Sequence, residues 1–142
     1  MNVIVTGSGG LIGSEAAKFF LKKGKVRGID NNMRSVFFGP QGDVSNVISD
    51  LSRDKNYSHA HCDINDEDSI NYIFKKVRPD VVIHCAAQPS HDKAASIPIL
   101  DFDVNARGTI VLLEAFRKYA TKDAVFIHMS TNKVYGDRPN ML

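Results

Sequence analysis

Three glycines near the amino terminus have a spacing that could hold phosphate groups. The stretch TGSGGLIGSE at 6–15 carries Gly7, Gly10 and Gly13. Gly7 permits a tight turn, Gly10 lets a backbone approach a ligand, and Gly13 lets a following helix pack closely. Backbone N–H groups at the start of such a helix favour a pyrophosphate. The spacing differs from the G-x-G-x-x-G fingerprint, and a glycine-rich turn that binds nothing is the alternative.

An acidic residue follows at the distance expected for a ribose-binding carboxylate. Asp30 ends the next apolar run, 23 residues after Gly7, and about 20 residues are expected in dinucleotide-binding proteins. A carboxylate accepts hydrogen bonds from ribose hydroxyls and repels a 2′-phosphate. The sequence therefore predicts NAD rather than NADP as the cofactor. Arg34 is expected to lie in solvent or to contact substrate.

Short apolar runs alternate with helical patterns along the whole chain. Strands are predicted over 2–7, 26–30, 57–63, 80–87 and 124–130. Helices are predicted over 11–23, 44–54, 66–77 and 98–120, with a loop over 31–43. This alternation is typical of an α/β fold with a doubly wound, Rossmann-like parallel sheet in the order 3-2-1-4-5. Ligands of such sheets bind beyond the carboxyl ends of the strands.

Composition narrows the class of protein. The chain has 142 residues, of which 43% are apolar, and this predicts one domain with a core. A scattered net charge of +2 argues against nucleic-acid binding. The chain has no apolar run of membrane-spanning length and no signal peptide, so we expect a cytoplasmic protein without membrane contact.

The cysteines and their histidine neighbours predict neither a disulfide framework nor a metal site. Two cysteines are too few for such a framework. The pairs His61-Cys62 and His84-Cys85 lie on strands that the predicted order separates by two others. Neighbouring side chains on a strand also face opposite sides of the sheet.

Motifs spread over the whole chain resemble a known family. They are the TGxxGxxG at 6–13, Asp30, Asp63, HCAA at 84–87, NARGT at 105–109 and STNKVYG at 130–136. Together they resemble the extended short-chain dehydrogenase/reductase family, which contains NAD-dependent nucleotide-sugar epimerases and dehydratases. Leu11 replaces a usual aromatic residue. The loops at 28–43, 85–95 and 130–140 resemble the CDP-paratose 2-epimerase (CDP-tyvelose epimerase) branch.

The resemblance implies roles for individual residues. The cofactor NAD would contact Gly7, Gly10, Leu11, Ile12, Gly13, Asp30, Asn31, Asp63, Ile64, Ala86, Ala87, Gln88, Asn105 and Ser130. Asp63 and Ile64 would lie at the adenine, and Ser130 near the nicotinamide. The alternatives are that Asp63 caps the next helix and that Asn105 is merely exposed on its helix.

Thr131 matches the catalytic Ser/Thr position, where its hydroxyl would bond the substrate oxygen being oxidised. The nucleotide-sugar substrate would contact Gln88, His91, Thr131, Asn132 and Lys133. Alternatively, Thr131 bonds its own backbone, and Ser90 and Asp92 cap the turn before the long helix.

The family's catalytic Tyr-x-x-x-Lys pair is expected after the fifth strand, but no such string follows Thr131. Tyr72 and Lys76 have the spacing but lie on the wrong crossover, where packing explains Tyr72. Tyr135 has no lysine four residues later. We therefore expect residues 1–142 to be an amino-terminal NAD-binding domain without its substrate-binding domain. The fifth strand would then have an unpaired edge, and homodimerisation, possible for a longer protein, would be doubtful for this piece.

Three functions remain open at this stage. The first is the NAD-binding part of an epimerase that inverts C2 of a CDP-linked dideoxyhexose through a transient keto sugar. The second is a fragment of a 4-epimerase or a 4,6-dehydratase. Asn132 and Lys133 stand where a dehydratase normally has acidic residues, which disfavours the dehydratase. The third is a non-catalytic dinucleotide-binding module.

Overall fold

The computed structural model describes residues 1–130 and shows a parallel sheet with helices on both faces. The strands are β1 Asn2–Thr6, β2 Lys25–Ile29, β3 Tyr57–Ala60, β4 Val81–His84 and β5 Val125–His128. Their order is β3-β2-β1-β4-β5, and every neighbouring pair is parallel. The predicted fold class and strand order are confirmed.

Helices connect the strands in the alternation that the sequence predicts. They are α1 Leu11–Leu21, α2 Met33–Phe38, α3 Ser45–Leu51, α4 Glu67–Val77, α5 His91–Ser96, α6 Pro98–Phe102 and α7 Gly108–Tyr119. A 3₁₀ turn, Gly39–Gly42, follows α2, and a π-helical turn, Asp103–Arg107, joins α6 to α7. Within the described part of the chain, none of these helices combines the length and apolar character needed to cross a bilayer.

The sheet separates two apolar clusters, because successive side chains of a strand face opposite ways. One cluster packs beneath α1 and α3 and contains Val3, Val5, Ala17, Val26, Leu51, Tyr57 and Ile83. The other packs beneath α4 and α7 and contains Ile4, Ile29, Ile64, Ile70, Phe74, Val82, Val104, Leu112 and Ala115. The central strand β1 is therefore buried on both faces, as its unbroken apolar run predicts.

The strand β5 is much less covered than β1. Val125 and Ile127 on β5 are 52% and 40% exposed, whereas Val3 and Val5 are fully buried. Among residues 1–130, β5 pairs only with β4. Within the described residues, the outer edge of β5 has no strand beside it, and such an edge can pair with another strand.

The predicted loop over 31–43 is wrong, because α2 and the 3₁₀ turn lie there. Asn32 closes this segment from a left-handed conformation with φ of 55°. Its amide donates to Asp43 Oδ1 at 2.8 Å and accepts from the Val44 N–H at 3.2 Å. Phe37 is 7% exposed and faces inward. Asn and Gly residues are frequent in this segment and are typical of loops, so the sequence did not predict the helix α2.

The predicted helix over 98–120 contains a π turn that the sequence did not reveal. The Gly108 N–H donates to the Asp103 carbonyl, five residues earlier. A Cβ on Gly108 would lie 2.5 Å from Ile64 Cδ1, so glycine lets this turn pack against the loop after β3. π turns often occur at functional sites, and this one carries Asn105.

Candidate functional site

A cavity of about 280 Å³ opens beyond the carboxyl ends of the strands. The chain leaves β1 towards β2 on one side and leaves β4 towards β5 on the other, so the cavity lies at the topological switch point. The predicted cofactor residues that line it are Gly7, Gly10, Leu11, Ile12, Gly13, Asp30, Asn31, Asp63, Ile64, Ala86, Ala87 and Ser130. Twelve of the fourteen residues that the sequence predicts to contact the cofactor therefore lie on one surface.

The glycine loop makes a tight turn between β1 and α1. Gly7 has φ of 64°, and its N–H donates to the Ile29 carbonyl at 2.8 Å. A Cβ on Gly7 would lie 2.8 Å from the Ala86 backbone nitrogen, and one on Gly13 would overlap the Gly7 carbonyl. At Gly10 the nearest protein atom to a Cβ would be the Gly7 oxygen at 3.3 Å. Gly7 and Gly13 are therefore required by internal packing, whereas a Cβ on Gly10 would be tight against only one protein atom and would otherwise point into the cavity that Gly10 lines.

The Asp30 carboxylate is held in place by backbone donors on both oxygens. Oδ2 accepts from the Gly9 N–H at 2.9 Å, and Oδ1 accepts from the Asn32 N–H at 2.8 Å. These bonds link the end of β2 to the glycine loop and to the start of the α2 segment. Each oxygen keeps a further lone pair for a hydroxyl group in the cavity.

Asn31 and Asp63 form the floor of the cavity near β3. Asn31 Nδ2 donates to Asp63 Oδ2 at 3.2 Å, and Asp63 Oδ1 accepts from the Asn65 N–H at 2.8 Å. The alternative role of Asp63 as a helix cap is wrong, because Asp66 caps α4 by accepting from the Ser69 N–H at 3.1 Å.

Asn105 and Gln88 lie behind the cavity wall and do not line it. Asn105 Oδ1 accepts from the Gln88 N–H at 2.9 Å, and its Nδ2 donates to the Gln88 carbonyl at 3.2 Å and to Asp101 Oδ1 at 3.0 Å. Asn105 is thus exposed on its helix yet bonded through its whole amide. It locks the backbone that follows Ala86 and Ala87.

The Gln88 side chain is 4% exposed and bonded internally. Its Nε2 donates to the Ser90 carbonyl and to Asp101 Oδ1, both at 2.9 Å, and its Oε1 accepts from the Ser90 N–H at 2.6 Å. The Gln88 side chain is thus fully engaged in internal bonds and does not line the cavity. Ser90 caps α5 by accepting from the Lys93 N–H at 3.3 Å, as the alternative reading expects.

The segment at 31–44 supplies an apolar wall that sequence reasoning missed. Met33, Phe37, Phe38 and Val44 line the cavity beside Asp30. Arg34 also lines it, with its guanidinium 5.0 Å from the centre of the Phe38 ring. The spacing of Met33 and Phe37, one helical turn apart, was the signal for this wall.

Two thiols complete the lining near the strand ends. Burial raises the pKa of the Cys85 thiol to about 11, and it raises the pKa of the Cys62 thiol as the largest of several causes. Both thiols are therefore protonated near neutral pH. Among residues 1–130, no group of three or more potential ligands could hold a metal ion.

Several predicted residues fall beyond the description of the structure. Thr131, Asn132 and Lys133 lie outside the described residues, and so does the side chain of His91. Tyr72 is described, and the packing role expected for it is wrong. It is 64% exposed on α4, with Lys76 Nζ 5.7 Å from its ring centre, because both residues face solvent.

Known proteins resemble the chain along its length. A family model for GDP-mannose 4,6 dehydratase matches residues 4–141. A dTDP-glucose 4,6-dehydratase of Salmonella typhimurium is 32% identical over 147 residues, an alignment that covers 99% of this chain and 39% of that protein. A CDP-paratose 2-epimerase of Salmonella typhi is 34% identical over 139 residues, covering 96% and 38%.

A solved structure gives the same picture. The UDP-glucose-4-epimerase from Stenotrophomonas maltophila, with bound NAD and formylated UDP-arabinopyranose, matches with a TM-score of 0.79 at 28% identity. The match covers 96% of this chain and 38% of that one. The chain thus spans about two fifths of the length of these relatives.

Proposed function

We propose that this chain, which belongs to the GDP-mannose 4,6 dehydratase family, is the NAD-binding portion of a nucleotide-sugar epimerase. The observation that carries the proposal is the cavity at the switch point, which is lined by both the glycine loop and the fixed Asp30 carboxylate. On this proposal residues 1–142 form one dinucleotide-binding domain. Relatives with a bound NAD and with epimerase and dehydratase names support it.

The residues present fit NAD. A Cβ at Gly10 would occupy the space that a pyrophosphate needs beside the N–H groups at the start of α1. The Asp30 oxygens would accept from the ribose hydroxyls and oppose a 2′-phosphate. Asp63 and Ile64 would contact the adenine, and Ser130 would lie near the nicotinamide.

The proposed reaction is inversion at C2 of a CDP-linked dideoxyhexose through a transient keto sugar. NAD, when bound, would supply the hydride acceptor for oxidation of the sugar hydroxyl. The Thr131 hydroxyl would hold the reacting oxygen, and His91, Asn132 and Lys133 would contact the nucleotide sugar. A 4-epimerase or a 4,6-dehydratase is the alternative, since relatives of both epimerase and dehydratase names match. Asn132 and Lys133 weigh against the dehydratase.

We further propose that the 142 residues bind NAD without turnover. Their single Tyr-x-x-x-Lys string is Tyr72 to Lys76, and Tyr72 is exposed on α4, away from the cavity. Proton transfer from the sugar hydroxyl needs a base near the reacting carbon. A non-catalytic dinucleotide-binding module would also bind NAD without turnover. Binding of a nucleotide sugar must therefore distinguish the epimerase from such a module.

A homodimer is the proposed assembly of a longer protein. An apolar stripe lies exposed along α6 and α7, formed by Ile99, Phe102, Ile110 and Leu113, which are 78%, 63%, 61% and 42% exposed. Their spacing of three, eight and three residues places them along one side of the helical run. Exposed apolar stripes of this kind mark interaction surfaces.

The test of the proposed function is calorimetric titration of the chain with NAD and NADP. We expect NAD to bind more tightly, Gly10→Val to abolish binding without unfolding, and Asp30→Asn to narrow the preference by about tenfold, or about 1.4 kcal/mol. Val36→Ala, at a side chain that is 72% exposed and does not line the cavity, is the control for a substitution outside the site. An unchanged affinity of Gly10→Val for NAD would refute the assignment of this loop to the cofactor.

The second arm separates the candidate functions by incubating a longer protein, which extends this chain through a substrate-binding domain, with CDP-, UDP- and dTDP-linked sugars. Inversion of a CDP-sugar at C2 is the expected result, whereas residues 1–142 alone should bind NAD and give no product. A longer protein that binds NAD but no nucleotide sugar favours the non-catalytic module. A product inverted at C4, or one that has lost water, would replace the C2 assignment with the corresponding alternative.

A further inference from the structure

The end of β4 carries a buried histidine that lies outside the cavity lining. The His84 side chain is 1% exposed. Its Nδ1 lies 2.7 Å from the Thr6 hydroxyl on β1, and its Nε2 lies 2.9 Å from the Thr109 hydroxyl on α7. One imidazole thus bridges the sheet and the helical run that carries Asn105.

The directions of these hydrogen bonds follow from their outer partners. The Thr109 hydroxyl donates its proton to the Asn105 carbonyl at 2.8 Å. Thr109 can therefore only accept from His84, so the ring proton lies on Nε2. Nδ1 is then an acceptor and takes the proton of the Thr6 hydroxyl, which itself accepts from the Ala86 N–H at 3.2 Å.

This chain of bonds begins and ends on the backbone of the cavity wall. Ala86 lines the cavity, and Asn105 fixes the backbone of Gln88 by two hydrogen bonds. Thr6 and His84 are paired in the sheet register at the last residues of β1 and β4, where the crevice begins. The histidine therefore holds three elements at one spacing.

We propose that His84, as the neutral Nε2–H tautomer, is a positioning residue that fixes the cavity wall at Ala86 and Ala87 for the dinucleotide. The proposal rests on the proposed binding of NAD. His84 does not touch the ligand itself. It acts through Thr6 on one side and through Thr109 and Asn105 on the other.

The environment of the ring supports the neutral form. Thr6 faces it from β1, Thr109 from α7, and Phe126 and His128 from β5, with the His128 ring centre 5.2 Å away. Burial, and then the charge of His128, lowers the pKa of His84 to about 4. A second ring proton would also point at Thr6, whose hydroxyl proton already occupies that bond.

The first test reads the tautomer directly by nitrogen–proton NMR of the ¹⁵N-histidine-labelled chain. We expect the His84 ring to show a proton on Nε2 and none on Nδ1, with no titration between pH 8 and pH 5. His128→Gln, which leaves both threonine contacts in place, assigns the neighbouring signal. A proton on Nδ1, or a midpoint near the ordinary value of 6.5, overturns the proposal. This readout needs no NAD, so it stands apart from failure of the proposed function.

The second test measures NAD affinity in Thr109→Val, which is nearly isosteric, and in the conservative Thr109→Ser. We expect Thr109→Val to weaken NAD binding about tenfold, equivalent to about 1.4 kcal/mol, and Thr109→Ser to restore it. Circular dichroism confirms that each variant is folded at the titration temperature. Equal affinity in the valine, serine and unaltered chains would show that the bonds serve stability alone, and would refute the positioning role. If the valine variant does not fold, Thr109→Ala removes the same hydroxyl, and its NAD affinity decides together with the NMR signature.

Discussion

Two of the cavity's walls are built by different physical means. The glycine wall, residues 7–13, is shaped by missing side chains, since a Cβ on Gly7 or Gly13 would overlap backbone atoms. The polar wall, formed by Ala86 and Ala87 with Gln88 directly behind them, is held by side-chain hydrogen bonds from Thr6 and Asn105. The glycine wall therefore depends on the absence of side-chain atoms. The polar wall depends on the presence of side-chain hydrogen-bond donors and acceptors.

This difference predicts opposite sensitivities to mutation. Adding atoms to the glycine wall forces backbone to move, which costs energy because packed interiors yield little. Removing atoms from the polar wall leaves partly buried N–H and C=O groups without these partners, which costs part of their desolvation. The stability lost when a side chain is added should thus be largest in the glycine wall, and the stability lost when a side chain is truncated should be largest in the polar wall.

The largest effect is expected from adding a side chain at Gly13. In Gly13→Val, the new Cβ would overlap the Gly7 carbonyl and crowd Ser8 Cα at 3.1 Å, so α1 cannot keep its place. We expect a loss of at least about 3 kcal/mol in the free energy of unfolding, measured by urea denaturation. Gly10→Ala is the matched control in the same loop, because its Cβ would meet only the Gly7 oxygen, at 3.3 Å. Equal stability of the two variants would show that the glycine wall is not sterically fixed.

Lowering the pH should destabilise the folded chain at the polar wall through protonation of His84. The pKa of this histidine falls from 6.5 to about 4 on folding. The unfolded chain therefore binds more protons between these values, and stability falls as the pH drops from about 6.5 to about 4, by roughly 3 kcal/mol in total. Urea unfolding at several pH values measures this slope. In His84→Gln the contribution of this residue should vanish, and identical slopes in both chains would contradict it.

Local patterns predicted the sheet and the glycine wall well. Alternating apolar runs gave the strand order, the motif series gave the family that the match over residues 4–141 confirms, and glycine spacing gave the turn at Gly7. Each of these signals lies within a short window of the chain. Glycine is also the one residue type whose presence reports a close approach of backbones.

The polar wall was largely hidden from the sequence. Thr6 bonds His84 across 78 residues, and Gln88 bonds Asn105 across 17. A single sequence does not show which donor meets which acceptor over such distances. Gln88 was therefore assigned to the ligands, although its side chain is bonded to Ser90 and Asp101.

Truncating Asn105 should weaken the polar wall by an intermediate amount. Asn105→Ala leaves the Gln88 N–H and carbonyl without these partners, so we expect a loss of about 2 kcal/mol in the free energy of unfolding, together with weaker NAD binding. Asn46→Ala, which changes an exposed asparagine on α3, should change stability by less than about 0.5 kcal/mol. If both substitutions cost the same, the amide of Asn105 does not secure the wall.

The smallest effect is expected at Tyr57 on β3, where a side-chain hydrogen bond and the absence of a side chain at Gly28 both support the glycine wall. Its hydroxyl donates to Ser8 Oγ in the glycine wall at 3.1 Å, passing over Gly28, where a Cβ would overlap the tyrosine oxygen. Burial is the largest cause that raises the pKa of Tyr57, so the hydroxyl stays protonated as a donor at neutral pH. Tyr57→Phe keeps the shape and removes this bond, together with the 3.3 Å contact between the hydroxyl and His59 Nδ1.

We therefore expect Tyr57→Phe to lose about 1 kcal/mol of stability in urea denaturation and to keep most of its affinity for NAD. Tyr72→Phe is the matched control, because the Tyr72 ring is 64% exposed on α4 and its hydroxyl has access to water. A loss in Tyr57→Phe no larger than that in the control would mean that the glycine wall holds by sterics alone. A loss as large as that of Asn105→Ala would instead mean that hydrogen bonds stabilise both walls equally, and the contrast between them would disappear.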